Sequence, residues 1–222
     1  LHEFAMGNGL DVLSKTQGSL EASEIDMSLG GIEADLTMNR LDDHRFLVVT
    51  AFSSQIRDAD WINRHTPGDA RMTLTDVTSG WAVLGVFGPT AREILSPITD
   101  ADLGNDAFAF GTLQEIDLGY ARVIAIRRTY MGELGWEIHL PNDSLLAAYE
   151  AICTAGEAHG LRHFGMYAMN SMRLEKCYRA WKGDLSTDYT MLVGALDRFV
   201  KFNKPEFIGK AALEVEKHSG SP

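Results

Sequence analysis

The chain of 222 residues is poor in basic residues, in cysteine and in long apolar runs. Its 20 Lys and Arg stand against 31 Asp and Glu, and the formal net charge of −11 would repel a polyanionic partner, so no nucleic-acid partner is predicted. No apolar run approaches the ~20 residues that a membrane span requires, and the first residues lack the basic and apolar pattern of a signal peptide. The sequence therefore predicts a cytoplasmic protein without membrane association.

Cysteine pairs and common catalytic motifs are also missing. Cys153 and Cys177 form no CxxC motif, and no Cys/His cluster has zinc spacing, so both are predicted to be buried or half-buried thiols and no metal site is expected. The P-loop, GxGxxG, HExxH and GxSxG patterns are absent as well. No nucleotide-binding, zinc-protease or serine-hydrolase chemistry is therefore indicated.

The hydrophobic pattern predicts an α+β fold with mostly antiparallel strands. Hydrophobic residues make up 45% of the chain and charged residues 23%, which is typical of a folded domain. Residues 81–160 predict the order strand, helix, strand, strand, strand, helix, which is close to a ferredoxin-like βαββαβ unit over about 72–202 with a last strand at 198–202. Further predicted elements are strands at 32–38, 45–50 and 72–77 and helices at 53–64, 165–181 and 209–217.

The ends of the chain are less patterned than its middle. Residues 1–29 are expected to form a poorly patterned arm, either a short helix with loops or a partly ordered segment, and residues 214–222 a tail. In the strand predicted over 135–140, Trp136, Ile138 and Leu140 share one face, whereas Glu137 and His139 share the other. This alternation predicts a sheet with one apolar face and charged groups on the opposite face.

A few charged residues are candidates for chemistry, and each also has an ordinary structural explanation. Asp35 interrupts an apolar strand, where aspartate is disfavoured, but it could simply face solvent. Glu133 and Glu137 flank a glycine turn and could act as acid and base, or form an ordinary polar strand face. Arg173 belongs to a charged stretch of helix that could be a solvated surface.

Four segments taken together are more specific. Residues 128–137 read RTYMGELGWE, residues 30–36 GGIEADL, residues 172–176 MRLEK and residues 207–213 FIGKAAL. In this order they resemble the Y-x-G-E-x-G-x-E, GGI-x-x-D-L, LRLE and FIG-(K/R)-x-AL segments of the folate-binding aminomethyltransferase family, to which the glycine cleavage T-protein belongs. Residues 75–78, 81–88 and 178–181 further resemble the folate domains of dimethylglycine and sarcosine dehydrogenases.

The resemblance covers residues 30–213 and implies a tetrahydrofolate-binding fold without the family's C-terminal barrel. It implies that Asp35 is the catalytic residue and that Tyr130, Glu137 and Arg173 bind the folate. A carboxylate such as Glu137 can accept two charge-assisted hydrogen bonds from the amidine-like edge of a pterin. The implied reaction is one-carbon transfer from a methylamine or aminomethyl donor, with a flavoprotein dehydrogenase as possible partner or fusion, since this chain holds no flavin domain.

The sequence also departs from the family pattern. Residues 191–196 read MLVGAL, so Val193 stands where the family has a glutamate, and the region before Gly30 lacks the usual Tyr-Thr strand and Asn-Glu pair. Two alternatives therefore remain open. One is a folate-binding module without transferase activity, as in the folate-dependent proteins that assist iron–sulfur assembly. The other is a degenerate structural fragment of a flavoprotein dehydrogenase.

Overall fold

The computed structural model describes the backbone of residues 19–25 and all of residues 31–220. It divides into two compact units. Unit 1 comprises the described residues up to Thr75 together with those from Arg179 onward, and unit 2 is the continuous segment Asp76–Tyr178. The strands are β1 (Ser19–Ile25), β2 (Ile32–Arg40), β3 (Phe46–Thr50), β4 (Trp81–Phe87), β5 (Leu113–Leu118), β6 (Ala121–Ile126) and β7 (Gly135–Pro141). The helices are α1 (Gln55–His65), α2 (Ala91–Leu95), α3 (Leu145–Gly156), α4 (Met166–Glu175) and α5 (Lys210–Ser219).

Unit 1 contains a three-stranded antiparallel sheet in the order β1-β2-β3. β1 pairs with β2 from Ser19 opposite Asn39 to Ile25 opposite Ile32. The helix or loop expected in this part of the arm is therefore wrong over residues 19–25, because pairing with β2 outweighs a weak local pattern. Residues 1–18 and 26–29 of the predicted arm lie outside the described residues, and so does Gly30, the first residue of the predicted folate-binding region.

The central strand β2 is covered on both faces. Its apolar row, consisting of Ile32, Ala34, Leu36 and Met38, is at most 3% exposed. Ile32 packs with an apolar cluster from the C-terminal part of unit 1, which includes Leu185, Met191, Val200 and Leu213. The second row of β2 is polar, and in it Glu33, Thr37 and Asn39 are buried and Asp35 is half-buried. β2 therefore presents a polar row within the fold.

Gly31 brings the start of β2 against the C-terminal part of unit 1. It forms a β-bridge with Thr190, and a Cβ atom at Gly31 would come within 2.1 Å of the carbonyl oxygen of Thr187. The next residue, Ile32, donates its N–H to the carbonyl of Tyr189 at 2.9 Å. Glycine is required here because any side chain would collide with the neighbouring backbone.

Unit 2 contains a four-stranded antiparallel sheet in the order β4-β7-β6-β5. The expected apolar face of β7 is confirmed, since Trp136, Ile138 and Leu140 are fully buried. They pack in one cluster with residues of α2 and α3, among them Leu95 and Ile152. Because the side chains of a strand alternate, Glu137 and His139 lie on the opposite face of the sheet.

Several sequence-based boundaries need correction. Residues 197–199 form a 3-10 turn, so the strand expected at 198–202 is wrong, and Val200 and Phe202 instead pack in the apolar cluster of unit 1. The strand expected at 72–77 is also wrong, since this segment has no regular structure before the 3-10 turn that precedes β4. The helix expected to reach residue 181 ends at Glu175, because Cys177 adopts a left-handed φ of 60°. The predicted boundary at 213 falls inside α5.

The two cysteines differ in their exposure. Cys153 is half-buried, whereas Cys177 is exposed, so the burial expected for Cys177 is wrong. In the described ranges, 19–25 and 31–220, none of the helices combines the length and the apolar character needed to cross a membrane. The same part of the chain holds no group of three or more His, Cys, Asp or Glu side chains arranged to bind a metal ion.

Candidate functional site

The loop between β6 and β7 carries Tyr130 and is shaped by its own residues. The hydroxyl of Thr129 accepts the N–H groups of Met131 at 3.2 Å and of Glu133 at 3.1 Å. Gly132 has a φ of 73°, and a Cβ atom there would come within 2.6 Å of the Lys176 side chain. The loop therefore turns tightly against the end of α4, with Tyr130 half-buried at its centre.

Arg173 lies one turn before this contact and is held by neutral acceptors. It is 5% exposed, and its Nε and Nη2 atoms donate to Oδ1 of Asn170 at 2.9 and 2.5 Å. Its Nη1 atom donates to the carbonyl of Tyr178 at 2.8 Å. The next turn carries Lys176, whose Nζ lies 3.4 Å from Oε1 of Glu133. The helix that holds Arg173 is thus joined to the loop that holds Tyr130.

Glu137 lies on β7 between two basic side chains. Its Oε1 atom is 3.7 Å from Nε of Arg128, and its Oε2 atom is 3.5 Å from Nε2 of His139. Both distances permit an electrostatic contact but are long for a hydrogen bond. Within the described residues the carboxylate makes no hydrogen bond, and 23% of its side chain is exposed. Glu137 can therefore accept hydrogen bonds from a ligand.

Gly135 fixes the position of β7 at this point. It is buried, and a Cβ atom there would approach the carbonyl oxygen of Val86 to 2.5 Å and Cα of Phe87 to 3.0 Å. Because Gly135 has no side chain, β4 and β7 can pair closely at the start of β7, where Phe87 lies opposite Gly135. The second glycine of the signature thus has a packing role that places Glu137 two residues later.

Asp35 lies in unit 1, on the polar row of β2 and two residues from Glu33. Glu33 forms an ion pair with Arg57 of α1, which also donates to the backbone carbonyl of Glu33. The guanidinium of Arg57 lies 5.8 Å from the centre of the Trp181 ring, and Nε1 of Trp181 donates to the hydroxyl of Ser54 at 2.9 Å. The strand that carries Asp35 is therefore anchored by a buried ion pair.

A second buried acid accompanies this pair. Asp58 is 3% exposed, accepts a hydrogen bond from the Thr50 hydroxyl and lies 3.7 Å from Nη1 of Arg57. Burial raises the pKa of Asp58, while the Thr50 hydroxyl and the charges of Arg57 and Lys182 oppose that rise. Arg57 thus lies between two buried carboxylates.

Three of the four residues predicted for the site lie in unit 2. Tyr130, Glu137 and Arg173 lie on the loop, on the strand that follows it and on the helix that contacts it. Asp35 lies in unit 1. The meeting of all four residues at one ligand stays a prediction.

Other polar residues near these positions were not singled out from the sequence. Arg128 and His139 flank Glu137, and Asn170 holds Arg173. Strand alternation already predicts that His139 shares the face of Glu137, but it does not predict the contact between their side chains. Asn170 lies one helical turn before Arg173, at the i−3 spacing that brings side chains together. The pair of Glu33 with Arg57 joins residues 24 apart, and no local signal points to it.

Comparison with known proteins identifies related sequences. The profile of the GCVT N-terminal domain family matches residues 10–204. Human mitochondrial dimethylglycine dehydrogenase is 39% identical over 193 residues, which are 86% of this chain and 22% of that protein. An aminomethyltransferase of Listeria monocytogenes is 32% identical over 192 residues, 86% of this chain and 51% of that protein. The mouse mitochondrial pyruvate dehydrogenase phosphatase regulatory subunit is 33% identical over 193 residues, 86% of this chain and 22% of that protein.

A solved structure has the same fold. The glycine cleavage system aminomethyltransferase T from Bartonella henselae matches with a TM-score of 0.82 at 24% identity, over 98% of this chain and 58% of that one. The expected α+β aminomethyltransferase-like fold, with antiparallel sheets, is therefore confirmed. The chain spans about a fifth of the dehydrogenase relative and about half of the aminomethyltransferase relative.

Proposed function

Because the chain belongs to the family of GCVT N-terminal domains, we propose that it binds tetrahydrofolate and supports one-carbon transfer from a methylamine or aminomethyl donor. The observation that carries the proposal is the carboxylate of Glu137, which is partly exposed and makes no hydrogen bond within the described residues. An amidine-like N–H edge fits such a group, because an ionised carboxylate has about four acceptor positions.

The other predicted residues have roles that suit their surroundings. Arg173 donates to Asn170 and to the Tyr178 carbonyl, which fixes its guanidinium, and in this proposal its positive charge contributes to folate binding. Tyr130 offers a half-buried ring and a hydroxyl on the loop beside it. In this proposal these residues bind and orient the pterin, and bound tetrahydrofolate supplies the nitrogens that receive the one-carbon unit.

Asp35 is proposed as the catalytic residue. Its position beside the Glu33–Arg57 ion pair gives its strand a fixed backbone, which suits a group that must direct a proton at a reacting nitrogen. A positioned acid or base of this kind contributes roughly 10²–10⁴-fold in rate. Loss of this carboxylate should therefore remove turnover and leave most of the folate affinity.

Calorimetry with tetrahydrofolate tests binding. Glu137→Gln keeps the shape of the side chain but removes its charge, and we expect about 10–100-fold weaker binding, since hydrogen bonds to charged groups contribute about 1.5–3 kcal/mol. Glu115→Gln is a matched control, because Glu115 lies on β5 of the same sheet with its side chain 48% exposed beside Arg122. Equal affinities of wild type, Glu137→Gln and Glu115→Gln would refute the assignment of Glu137.

A turnover assay tests transfer. It follows a labelled carbon from N,N-dimethylglycine to tetrahydrofolate in the presence of a flavoprotein dehydrogenase, because the dehydrogenase relatives suggest this class of donor. Asp35→Asn should lose turnover at nearly unchanged affinity. If Asp35→Asn turns over like wild type, the catalytic role of Asp35 is wrong. For Arg173, Arg173→Lys is preferable to alanine, because alanine would also leave Asn170 and the Tyr178 carbonyl without their donor.

A binding module without transferase activity is the second candidate. It is favoured by Val193, which is 43% exposed at the position of the family's glutamate, and by the relative named as a regulatory subunit. If the wild-type chain binds folate but shows no turnover, the binding module is supported. If it shows neither folate binding nor turnover, the degenerate structural fragment is the remaining alternative. The cytoplasmic location stays a prediction, and cell fractionation decides between it and the mitochondrion named for several relatives.

A further inference from the structure

The side chain of His139 is buried on the same face of β7 as Glu137. The residue is 3% exposed, and its Nε2 atom has no hydrogen-bond partner among the described residues. A buried polar atom without a partner is costly, and most such atoms in folded proteins are paired. Oε2 of Glu137 lies 3.5 Å from this Nε2 atom. Glu137 is therefore a carboxylate within electrostatic reach of the Nε2 atom.

The two basic neighbours approach different oxygens of the same carboxylate. Arg128 lies near Oε1 and His139 near Oε2. Contacts in catalytic and binding sites are often long without ligand and shorten when the ligand binds. Resting on the proposed function, we propose that His139 donates its Nε2–H to Oε2 of Glu137 and, with Arg128 beside Oε1, positions the carboxylate for the N–H edge of the ligand.

The strand register sets the neighbours of Glu137 on its face of the sheet. Glu137 lies opposite Gly85 of β4 and opposite Ile126 of β6. Ile126 is fully buried, whereas Gly85 is exposed and has no side chain. A Cβ atom at Gly85 would come within 2.5 Å of the Phe87 ring, so this position favours glycine. On this face Glu137 therefore lies between the buried Ile126 and the Phe87 ring over Gly85, and a ligand can reach the 23% of its side chain that is exposed.

Substitution of His139 tests the role through tetrahydrofolate affinity. His139→Leu removes the donor, and we expect about 10–100-fold weaker binding, the range for loss of a hydrogen bond to a charged group. His139→Gln keeps an N–H donor and should recover most of the affinity. Val83→Ala is the control, because Val83 lies opposite His139, is 51% exposed and has no polar atom in its side chain. If the leucine and glutamine variants bind like wild type, the role is wrong.

A double-mutant cycle separates positioning from a general packing effect. In the Glu137→Gln background, His139→Leu should cause less than about a twofold further loss, since residues that act through one another are not additive. An additive loss in the double variant would overturn the proposal. The cycle requires folded proteins, so the urea unfolding midpoints of Glu137→Gln, His139→Leu and the double variant are measured as well and should match that of wild type.

A ligand-free measurement separates failure of this inference from failure of the proposed function. The 15N resonances of the His139 ring in the whole chain should show the hydrogen on Nε2, and they should shift in Glu137→Gln. This result supports the contact even if wild type binds no tetrahydrofolate, in which case only the proposed ligand is wrong. A ring with its hydrogen on Nδ1 alone, unaffected by Glu137→Gln, would overturn the inference while leaving folate binding intact.

Discussion

Removal of Arg57 should destabilise the protein strongly, because this side chain neutralises buried acids. Glu33 keeps only 8% of its side chain exposed in the ion pair, and Asp58 keeps 3%. Arg57→Met preserves much of the aliphatic volume but leaves both carboxylates without their guanidinium. Breaking a buried ion pair on one side costs about 3–5 kcal/mol. Since a third of Arg57 is exposed, we expect about 2–4 kcal/mol.

The measurement is urea unfolding at pH 7, with Arg45→Met as the matched control. Arg45 pairs with Asp42 at 2.5 Å, but the two side chains are 69% and 44% exposed. Exposed pairs contribute about 0–1 kcal/mol, so this variant should be nearly as stable as wild type. The contrast isolates burial, because both substitutions remove an arginine from an ion pair with a carboxylate.

The pH dependence gives a second check on the same variant. A carboxylate whose pKa is higher in the folded than in the unfolded protein favours folding at low pH, and this contribution is lost as the pH rises through the folded-state pKa. Burial already raises the pKa of Asp58, and loss of Arg57 should raise it further. The deficit of Arg57→Met should therefore shrink from pH 7 toward about pH 4. A deficit no larger than that of Arg45→Met, or one independent of pH, would refute the reasoning.

Two smaller perturbations follow from local geometry. Gly135→Ala should lower the free energy of unfolding by about 1–3 kcal/mol, because its Cβ atom would collide with Phe87 and the adjoining backbone. Gly80→Ala is the control and should change this free energy little, because a Cβ atom there meets nothing within 4 Å. Equal urea unfolding midpoints of the two variants would contradict the prediction. The side-chain hydrogen bond from Arg45 is the main cause that lowers the pKa of Asp42 to about 2. In Arg45→Gln this pKa should rise toward the ordinary ~3.9. An NMR titration of the variant that shows an unchanged pKa would exclude this cause.

The sheets were largely predictable because their signals are local. The alternation of apolar and polar residues in β7 predicted its buried face and placed Glu137 and His139 together on the other face. β1 was missed because its pairing with β2 is set by tertiary structure. The strand expected at 198–202 is wrong because its apolar residues lie in a loop and pack within the apolar cluster of unit 1. Short apolar runs do not distinguish a strand from a packed loop.

The candidate site was predictable only to the level of the signature residues. The solvated surface that the local pattern of Arg173 allowed is wrong, because Arg173 is buried with Asn170 and the Tyr178 carbonyl as partners. Periodicity does not distinguish a buried arginine from an exposed one, even though both acceptors of Arg173 lie within five residues of it. Arg57 as the partner of Glu33 and Thr50 as the partner of Asp58 were missed for another reason, because these pairs join separate elements.

The contact of Gly31 with Thr190 has a consequence for synthesis on the ribosome. Unit 2 is encoded without interruption and is complete once Tyr178 has emerged, whereas β2 receives its partners near Thr187 and Thr190 only later. Domains generally fold as units while the chain is being made. In a nascent chain stalled shortly after Tyr178, unit 2 should therefore resist protease. The strands β1, β2 and β3 should stay cleavable until the residues from Arg179 onward have been synthesised.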